Sequence, residues 1–131
     1  MIMTETKKMR KTILALVLCL FAALLLMTSC KPDFVGNKIT LNGTYTLDFS
    51  ALNRTEDGEL NVKAGEGMRV TIALEEGSVD VEIRDGDYEP AYIGNGLSNE
   101  DFTVICQKDG RYTISVTGEN AKGKVVVKTE K

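Results

Sequence analysis

The loop at residues 85–89 contains the densest group of side chains in this chain that could do chemistry. It reads DGDYE and places three carboxylates, Asp85, Asp87 and Glu89, within five positions. Carboxylate oxygens are the ligands that calcium prefers, but the ion takes about six to eight of them. The spacing does not match the twelve-residue EF-hand loop. We therefore expect a solvated acidic turn and no cofactor, and the same three residues are the candidate ligands in the alternative that Ca²⁺ binds here.

Two tyrosines in and near this loop could contact a ligand. Tyr88 lies within the loop and Tyr92 follows it, and such rings combine an apolar body with a polar end. The chain has no tryptophan and only 6% aromatic residues, so a stacking platform for a sugar would be thin. Tyr88 and Tyr92 are the candidate ligand-binding residues, with a protein or a glycan as the partner.

The three cysteines lie in different surroundings. Cys19 belongs to an apolar run and Cys30 follows the end of that run, whereas Cys106 is in phase with Phe102 and Val104. This phase predicts that Cys106 is a small buried side chain. A catalytic thiol needs a neighbouring base, and the chain contains no histidine. We therefore predict no catalytic residue and no enzymatic activity.

The N-terminal segment has the pattern of a secretory signal. Four of the residues at 7–11 are cationic, and an apolar run of fifteen residues follows at 13–27. A helix of that length spans about 22 Å, which is short of the ~30 Å hydrocarbon core of a bilayer. A basic segment before a short apolar run is typical of a signal peptide. The start codon stays open among Met1, Met3 and Met9.

The residues that end this segment suggest how the chain is attached to a membrane. The sequence Leu26-Met27-Thr28-Ser29-Cys30 resembles the lipobox of bacterial lipoproteins. That resemblance implies cleavage between Ser29 and Cys30 and a diacylglyceryl group on the Cys30 thiol. Two acyl chains are enough for stable anchoring. We expect a lipid-anchored protein on the extracytoplasmic face of a bacterial membrane, either the cell membrane or an outer membrane.

The charge of the predicted mature part limits the classes of partner. The chain has 16 basic and 19 acidic residues, and removal of four basic residues and one acidic residue with positions 1–29 leaves 12 and 18. A net charge of −6 disfavours binding to nucleic acid. It does not identify the partner.

From position 38 onward, apolar and polar residues alternate. Runs such as those around Val70, Val81, Ile114 and Val125 are separated by glycine-containing turn signals at intervals of about 8–12 residues. This pattern predicts an all-β fold: a jelly-roll-like β-sandwich of about eight antiparallel strands over residues 38–131. It would follow a cleaved signal helix at 1–29 and a lipidated tether at 30–37.

Four stretches, at 64–70, 81–85, 109–118 and 123–125, are similar to the small sandwich of the bacterial pre-peptidase C-terminal domain. The shared feature is a glycine before a tyrosine-led strand, here Gly110-Arg111-Tyr112. The resemblance implies an accessory or ligand-contacting module and no enzyme.

Three functions are consistent with these observations. The favoured one is a lipid-anchored, extracytoplasmic, non-catalytic binding or accessory module. One alternative is a small hydrolase that depends on carboxylates or a metal, which would need Asp85, Asp87 and Glu89 to converge in a cleft. The other alternative is a purely structural envelope lipoprotein.

Overall fold

The computed structural model describes residues 2–28, 32–86 and 88–131, with helix side chains described at 8–21. Three residues with predicted roles, Ser29, Cys30 and Asp87, lie outside the described residues. The chain forms two compact units, residues 1–31 and 32–131.

The first unit contains helix α1, Ile2–Thr28. Its sequence is rich in leucine, alanine, methionine and lysine, which favour helix. The apolar run at 13–27 lies within it. No helix in the described part of the chain combines the length and the apolar character needed to span a bilayer.

The second unit consists of seven antiparallel strands, which confirms the predicted all-β fold. Their bounds are β1 Phe34–Leu41, β2 Thr44–Leu52, β3 Thr55–Val62, β4 Gly67–Asp85, β5 Pro90–Leu97, β6 Asn99–Ile105 and β7 Gly110–Glu130.

The long strands β4 and β7 run through both layers of the sandwich. The segments 67–74 of β4 and 123–130 of β7 pair with each other and with β6 and β2, and β1 pairs with β2. We call this layer A. The segments 78–85 and 110–117 pair with each other and with β5 and β3, and we call this layer B.

The two layers meet at a corner where β4 and β7 bend, at residues 74–78 and 118–123. The pairing register shifts on both sides of Glu76, and Gly77 and Asn120 adopt positive φ. A side chain at Gly77 would collide with the backbone carbonyls of β7. The sequence predicts turns here at Glu76-Gly77 and Lys122-Gly123. In the structure, β4 and β7 bend at these positions and continue as single strands. The sandwich therefore has seven strands, where about eight are predicted.

Side chains from both layers form one apolar core. The alternation predicts fifteen core residues, and all are buried except Phe102, which is partly exposed but packs on the core. They are Leu47, Phe49, Leu60, Val70, Ile72, Val79, Val81, Ile83, Phe102, Val104, Tyr112, Ile114, Val116, Val125 and Val127. Tyr45 of layer A lies against Gly58 of layer B, where any Cβ would overlap its ring. The turn signal at Asp57-Gly58 is therefore wrong, because this glycine lies inside β3 and makes room for an aromatic ring.

Strand β1 differs from the prediction in two respects. It begins at Phe34, within the segment assigned to the tether, because Gly36 does not end the strand but pairs with β2 beside a β-bulge at Ser50 of that strand. The alternation predicts that Ile39 and Leu41 lie on its buried face, but both are exposed, so the two faces of the strand are reversed. The reason is that Lys38 faces inward and bonds Glu56 of β3, with Nζ 3.2 Å from Oε2.

Different interactions close the two sides of the sandwich. On the side of β1 and β3, Glu56 is buried and accepts hydrogen bonds from Lys38 and Arg54, and the Arg54 guanidinium lies 5.3 Å from the Phe34 ring centre. On the side of β5 and β6, Tyr92 packs against Phe102 with ring centres 4.7 Å apart.

Candidate functional site

An open groove of about 540 Å³ lies at the end of the sandwich away from the corner. It lies on the side of β5 and β6, where the end of β4, the start of β5 and the end of β6 approach the start of β7. The residues that line it are Asp85, Tyr88, Glu89, Pro90, Ala91, Ile105, Gln107, Lys108 and Tyr112. Its volume is within the range of about 300–1,000 Å³ that ligand sites occupy.

The acidic loop forms one wall of this groove through a tight turn. The Tyr88 N–H donates a hydrogen bond to the carbonyl oxygen of Asp85 at 3.2 Å. Gly86 adopts φ +58° at the second position of that turn, and a positive φ there is typical of hairpin turns. The glycine therefore brings Asp85, Tyr88 and Glu89 to the same groove.

Tyr88 is the most exposed aromatic residue of the described sandwich, at 67%, yet two contacts hold it. Arg84 Nη1 donates a hydrogen bond to the Tyr88 carbonyl oxygen at 3.0 Å. The Lys108 ammonium lies 5.0 Å from the ring centre, which is cation–π geometry. The ring is thus positioned without being buried.

Beneath the groove, the side chains of Tyr112 and Cys106 connect it to the core. The Tyr112 hydroxyl donates a hydrogen bond to the Lys108 carbonyl oxygen at 2.8 Å. Burial raises the pKa of the Cys106 thiol, and the charges of Asp85 and Glu66 raise it further. Burial also raises the pKa of Tyr112. The thiol therefore stays protonated, as expected for a core residue.

The structure separates the two tyrosines that the sequence nominates for ligand binding. Tyr88 lines the groove, whereas Tyr92 is half-buried in β5, opposite Ile83 of β4 and against Phe102. The alternation within β5 turns Tyr92 inward, so its ring packs against the core and not in the groove.

Six residues of the groove were not predicted from the sequence: Pro90, Ala91, Ile105, Gln107, Lys108 and Tyr112. One signal was present, because Ile105 is apolar but out of phase with Phe102, Val104 and Cys106. It is exposed at the end of β6. The positions of Gln107 and Lys108 depend on the Tyr112 hydrogen bond, which no local pattern indicates.

The carboxylates of the loop are brought together only in part. Asp85 lies against Gly110 of β7, where a Cβ would touch its carboxylate, and Glu89 lies on the groove wall. Among the residues that the structure describes, no three Asp, Glu, Cys or His side chains are arranged to hold a metal ion. Asp87 is outside those residues, so neither the predicted solvated turn nor the calcium alternative is tested.

Comparison with known proteins gives little further information. No family model matches the chain, so its similarity to the pre-peptidase C-terminal domain rests on the residues alone. No curated protein matches it either. Among solved structures, one similar chain is PliG of Aeromonas hydrophila, a periplasmic inhibitor of g-type lysozyme. The two share 20% identity and a TM-score of 0.47 over 72% of this chain and 88% of that chain. A likeness at this level carries no argument about what this chain binds.

Proposed function

We propose that the mature chain is a lipid-anchored, extracytoplasmic, non-catalytic module that binds a protein partner in the end groove. The observation that carries this proposal is Tyr88: an exposed aromatic side chain, held in place by Arg84 and Lys108, at the mouth of a groove of ligand-binding size.

The chemistry of the groove favours a protein over a glycan. Tyrosines are common among residues that dominate interface affinity, and a ring that is already positioned loses less entropy on binding. Pro90, Ala91 and Ile105 add apolar surface beside it. A sugar would need a free aromatic face, and the Lys108 ammonium already lies over one face of the Tyr88 ring.

The charges of the groove favour a partner segment that carries a cation. Asp85 and Glu89 line the groove, and within the described residues neither forms an ion pair with a lysine or arginine. Lys108 is the only cation among the described residues of the wall, and it already contacts the Tyr88 ring. A lysine or arginine of the partner would bring a compensating charge to the two carboxylates.

The side chains near the groove support binding better than catalysis. Cys106 is the strongest nucleophile in this region, but it is fully buried and its pKa is raised. A thiol that stays protonated is a poor nucleophile. The sequence contains no histidine that could serve as its base.

The way the chain enters the sandwich is compatible with an anchored binding module. Asp33 precedes β1 and is fixed near the corner, where its carbonyl oxygen accepts a hydrogen bond from the Asn53 N–H at 2.6 Å. The groove is at the opposite end of the strands. Seven or eight strand residues separate the two ends, which is about 25 Å at 3.3 Å per residue. A lipid on Cys30 would therefore hold the end that is remote from the groove.

The test combines capture with matched variants. The purified mature protein captures partners from a cell-envelope extract, and each captured protein is identified, produced separately and titrated by calorimetry. Tyr88→Ala removes the groove aromatic, whereas Ile93→Ala removes an exposed side chain on the outer face of layer B. We expect Tyr88→Ala to weaken binding at least about tenfold, the equivalent of ~1.4 kcal/mol, and Ile93→Ala to leave the affinity unchanged.

Three results would overturn the proposal. The first is a partner that binds Tyr88→Ala with the same affinity as the wild type. The second is binding to purified envelope glycans with no protein partner. The third is a hydrolytic activity that disappears when Asp85 or Glu89 is replaced, which would support the hydrolase alternative.

A further inference from the structure

The outward side of strand β1 is apolar. Val35, Ile39 and Leu41 are exposed at 46%, 57% and 65%. Ile39 and Leu41 pair with Thr46 and Thr44 of β2, so they share the outer face of layer A. From Val35 to Leu41 the strand extends about 20 Å. These three side chains form one apolar row along the strand, in which Asn37 is the one polar position. We call this row the β1 edge.

The other strands of layer A carry mainly polar residues on the same outer face. The register places these residues there: Thr44, Thr46 and Asp48 of β2, Lys124 and Lys128 of β7, Arg69 and Thr71 of β4, and Asp101 and Thr103 of β6. The apolar exceptions are Val126, which is half-buried, and the exposed Ala73 of β4 and Ile105 of β6, which lie on the side of the layer away from β1. A local concentration of exposed apolar side chains marks a contact surface, and here it lies on the strand through which the chain enters the sandwich.

The chain length before β1 limits how far this strand can lie from the proposed lipid. Asp33 is fixed to the sandwich by its hydrogen bond from Asn53. Only Lys31 and Pro32 separate it from Cys30. Three extended steps reach at most about 11 Å. If Cys30 carries the lipid, as the proposed function requires, β1 must start beside the bilayer.

The charges next to the β1 edge fit the surface of a bilayer. Lys38 and Arg54 both pair with the single carboxylate of Glu56, which leaves one net positive charge. Both cations are partly exposed. Asp48 lies opposite Asn37 on the outer face, and its charge is matched by Lys124 opposite it on β7. Long cationic side chains beside apolar ones are typical of protein surfaces that rest on anionic headgroups. This local charge differs in sign from the net charge of the mature chain.

We propose that the β1 edge lies against the bilayer that holds Cys30, with Val35, Ile39 and Leu41 in the headgroup region. The groove remains free in this arrangement, because it lies at the opposite side of the sandwich, between β5 and β6, with β2, β7 and β4 between it and β1. The lipid would thus set the distance to the membrane, and the β1 edge would set the orientation.

The absence of tryptophan from the sequence provides a clean probe. Ile39→Trp places a single fluorophore on the β1 edge. Ile93→Trp is the matched control, because Ile93 has the same 57% exposure but lies on β5, on the other side of the sandwich. Each full-length lipidated variant is reconstituted into vesicles of phosphatidylethanolamine and phosphatidylglycerol, with or without brominated acyl chains that quench tryptophan on contact.

We expect the emission of Trp at position 39 to shift to shorter wavelength and to be quenched several-fold more than that of Trp at position 93. Equal quenching at the two positions, or none at position 39, would overturn the inference. So would a blue shift at position 39 that needs no vesicles and grows with protein concentration, since a second copy would then cover the β1 edge. If Ile39→Trp lowers the melting temperature, Leu41→Trp replaces it.

Mass spectrometry of the same samples separates this inference from the proposed function. Lipid on Cys30 together with a water-exposed Trp at position 39 would overturn the orientation alone. No lipid on Cys30 would overturn the anchor and the orientation together, but the groove titrations would still decide whether the module binds a partner.

Discussion

Two buried tyrosines of the core differ in one hydrogen bond, and this difference predicts opposite effects of the same substitution. The Tyr112 hydroxyl donates to the Lys108 carbonyl oxygen at 2.8 Å and so holds the segment that carries one wall of the groove. The Tyr45 hydroxyl is fully buried and has no hydrogen-bond partner among the described residues. Burial raises the pKa of Tyr45, and the charges of Glu56 and Asp57 raise it further, so both hydroxyls stay neutral at pH 7.

The magnitudes follow from the contacts. A typical hydrogen bond contributes about 1 kcal/mol net, and a buried polar group without a partner costs about 1–3 kcal/mol. Tyr112→Phe should therefore lower the free energy of unfolding by about 1 kcal/mol. Tyr45→Phe keeps the ring against Gly58 and removes only the unpaired hydroxyl, so it should raise that free energy by about 1 kcal/mol. For a domain of up to about 100 residues, each 1 kcal/mol shifts the melting temperature by about 4–8 °C.

Thermal unfolding of the mature chain, followed by circular dichroism at pH 7, measures both effects. The two variants should melt on opposite sides of the wild type. A lower melting temperature for Tyr45→Phe would show that its hydroxyl has a partner in solution, and would refute the reasoning. An unchanged melting temperature for Tyr112→Phe would show that the Lys108 segment does not depend on this hydrogen bond.

Three further predictions concern Glu56, Gly58 and the acidic loop. Burial acts to raise the pKa of Glu56, but hydrogen bonds from Arg54 and Lys38 outweigh it and the net pKa is lowered. The ionised Glu56 carboxylate should therefore stabilise the fold above its ordinary pKa, and this contribution should be lost as the pH falls through the lowered pKa. Urea titrations should show that the free energy of unfolding of Glu56→Gln falls less on acidification than that of the wild type. Gly58→Ala should lower stability by about 1–3 kcal/mol because its methyl group overlaps the Tyr45 ring, and a wild-type urea midpoint would contradict this. Millimolar calcium should leave the melting temperature unchanged, and a rise that disappears in Asp85→Asn would instead establish the calcium alternative.

The sequence predicts the strands of this sandwich well where alternation is undisturbed. Val79, Val81 and Ile83 are buried as their spacing indicates, and so are Tyr112, Ile114 and Val116 of β7. Alternation fails at β1, because an ion pair between Lys38 and Glu56 turns a polar side chain inward. These two residues are 18 positions apart and belong to different layers, so no local pattern contains the information.

The groove was predictable only in part for a similar reason. The acidic loop and Tyr88 are adjacent in sequence and appear together in the structure. Lys108 and Ile105 join them only because β4 and β6 end where β7 begins. Glycine signals were ambiguous as well, since Gly58 accommodates a ring inside a strand while Gly86 forms a true turn.

Site-specific crosslinking in living cells tests the central proposal, a protein partner in the groove, most directly. A photoreactive phenylalanine analogue replaces Tyr88 in one strain and Ile93 in another, and irradiated envelopes are probed for adducts of this chain. The proposal predicts one discrete protein adduct from position 88, absent from position 93 and lost when Asp85 and Glu89 are both replaced by their amides. No adduct from position 88, or the same adduct from both positions, would contradict it.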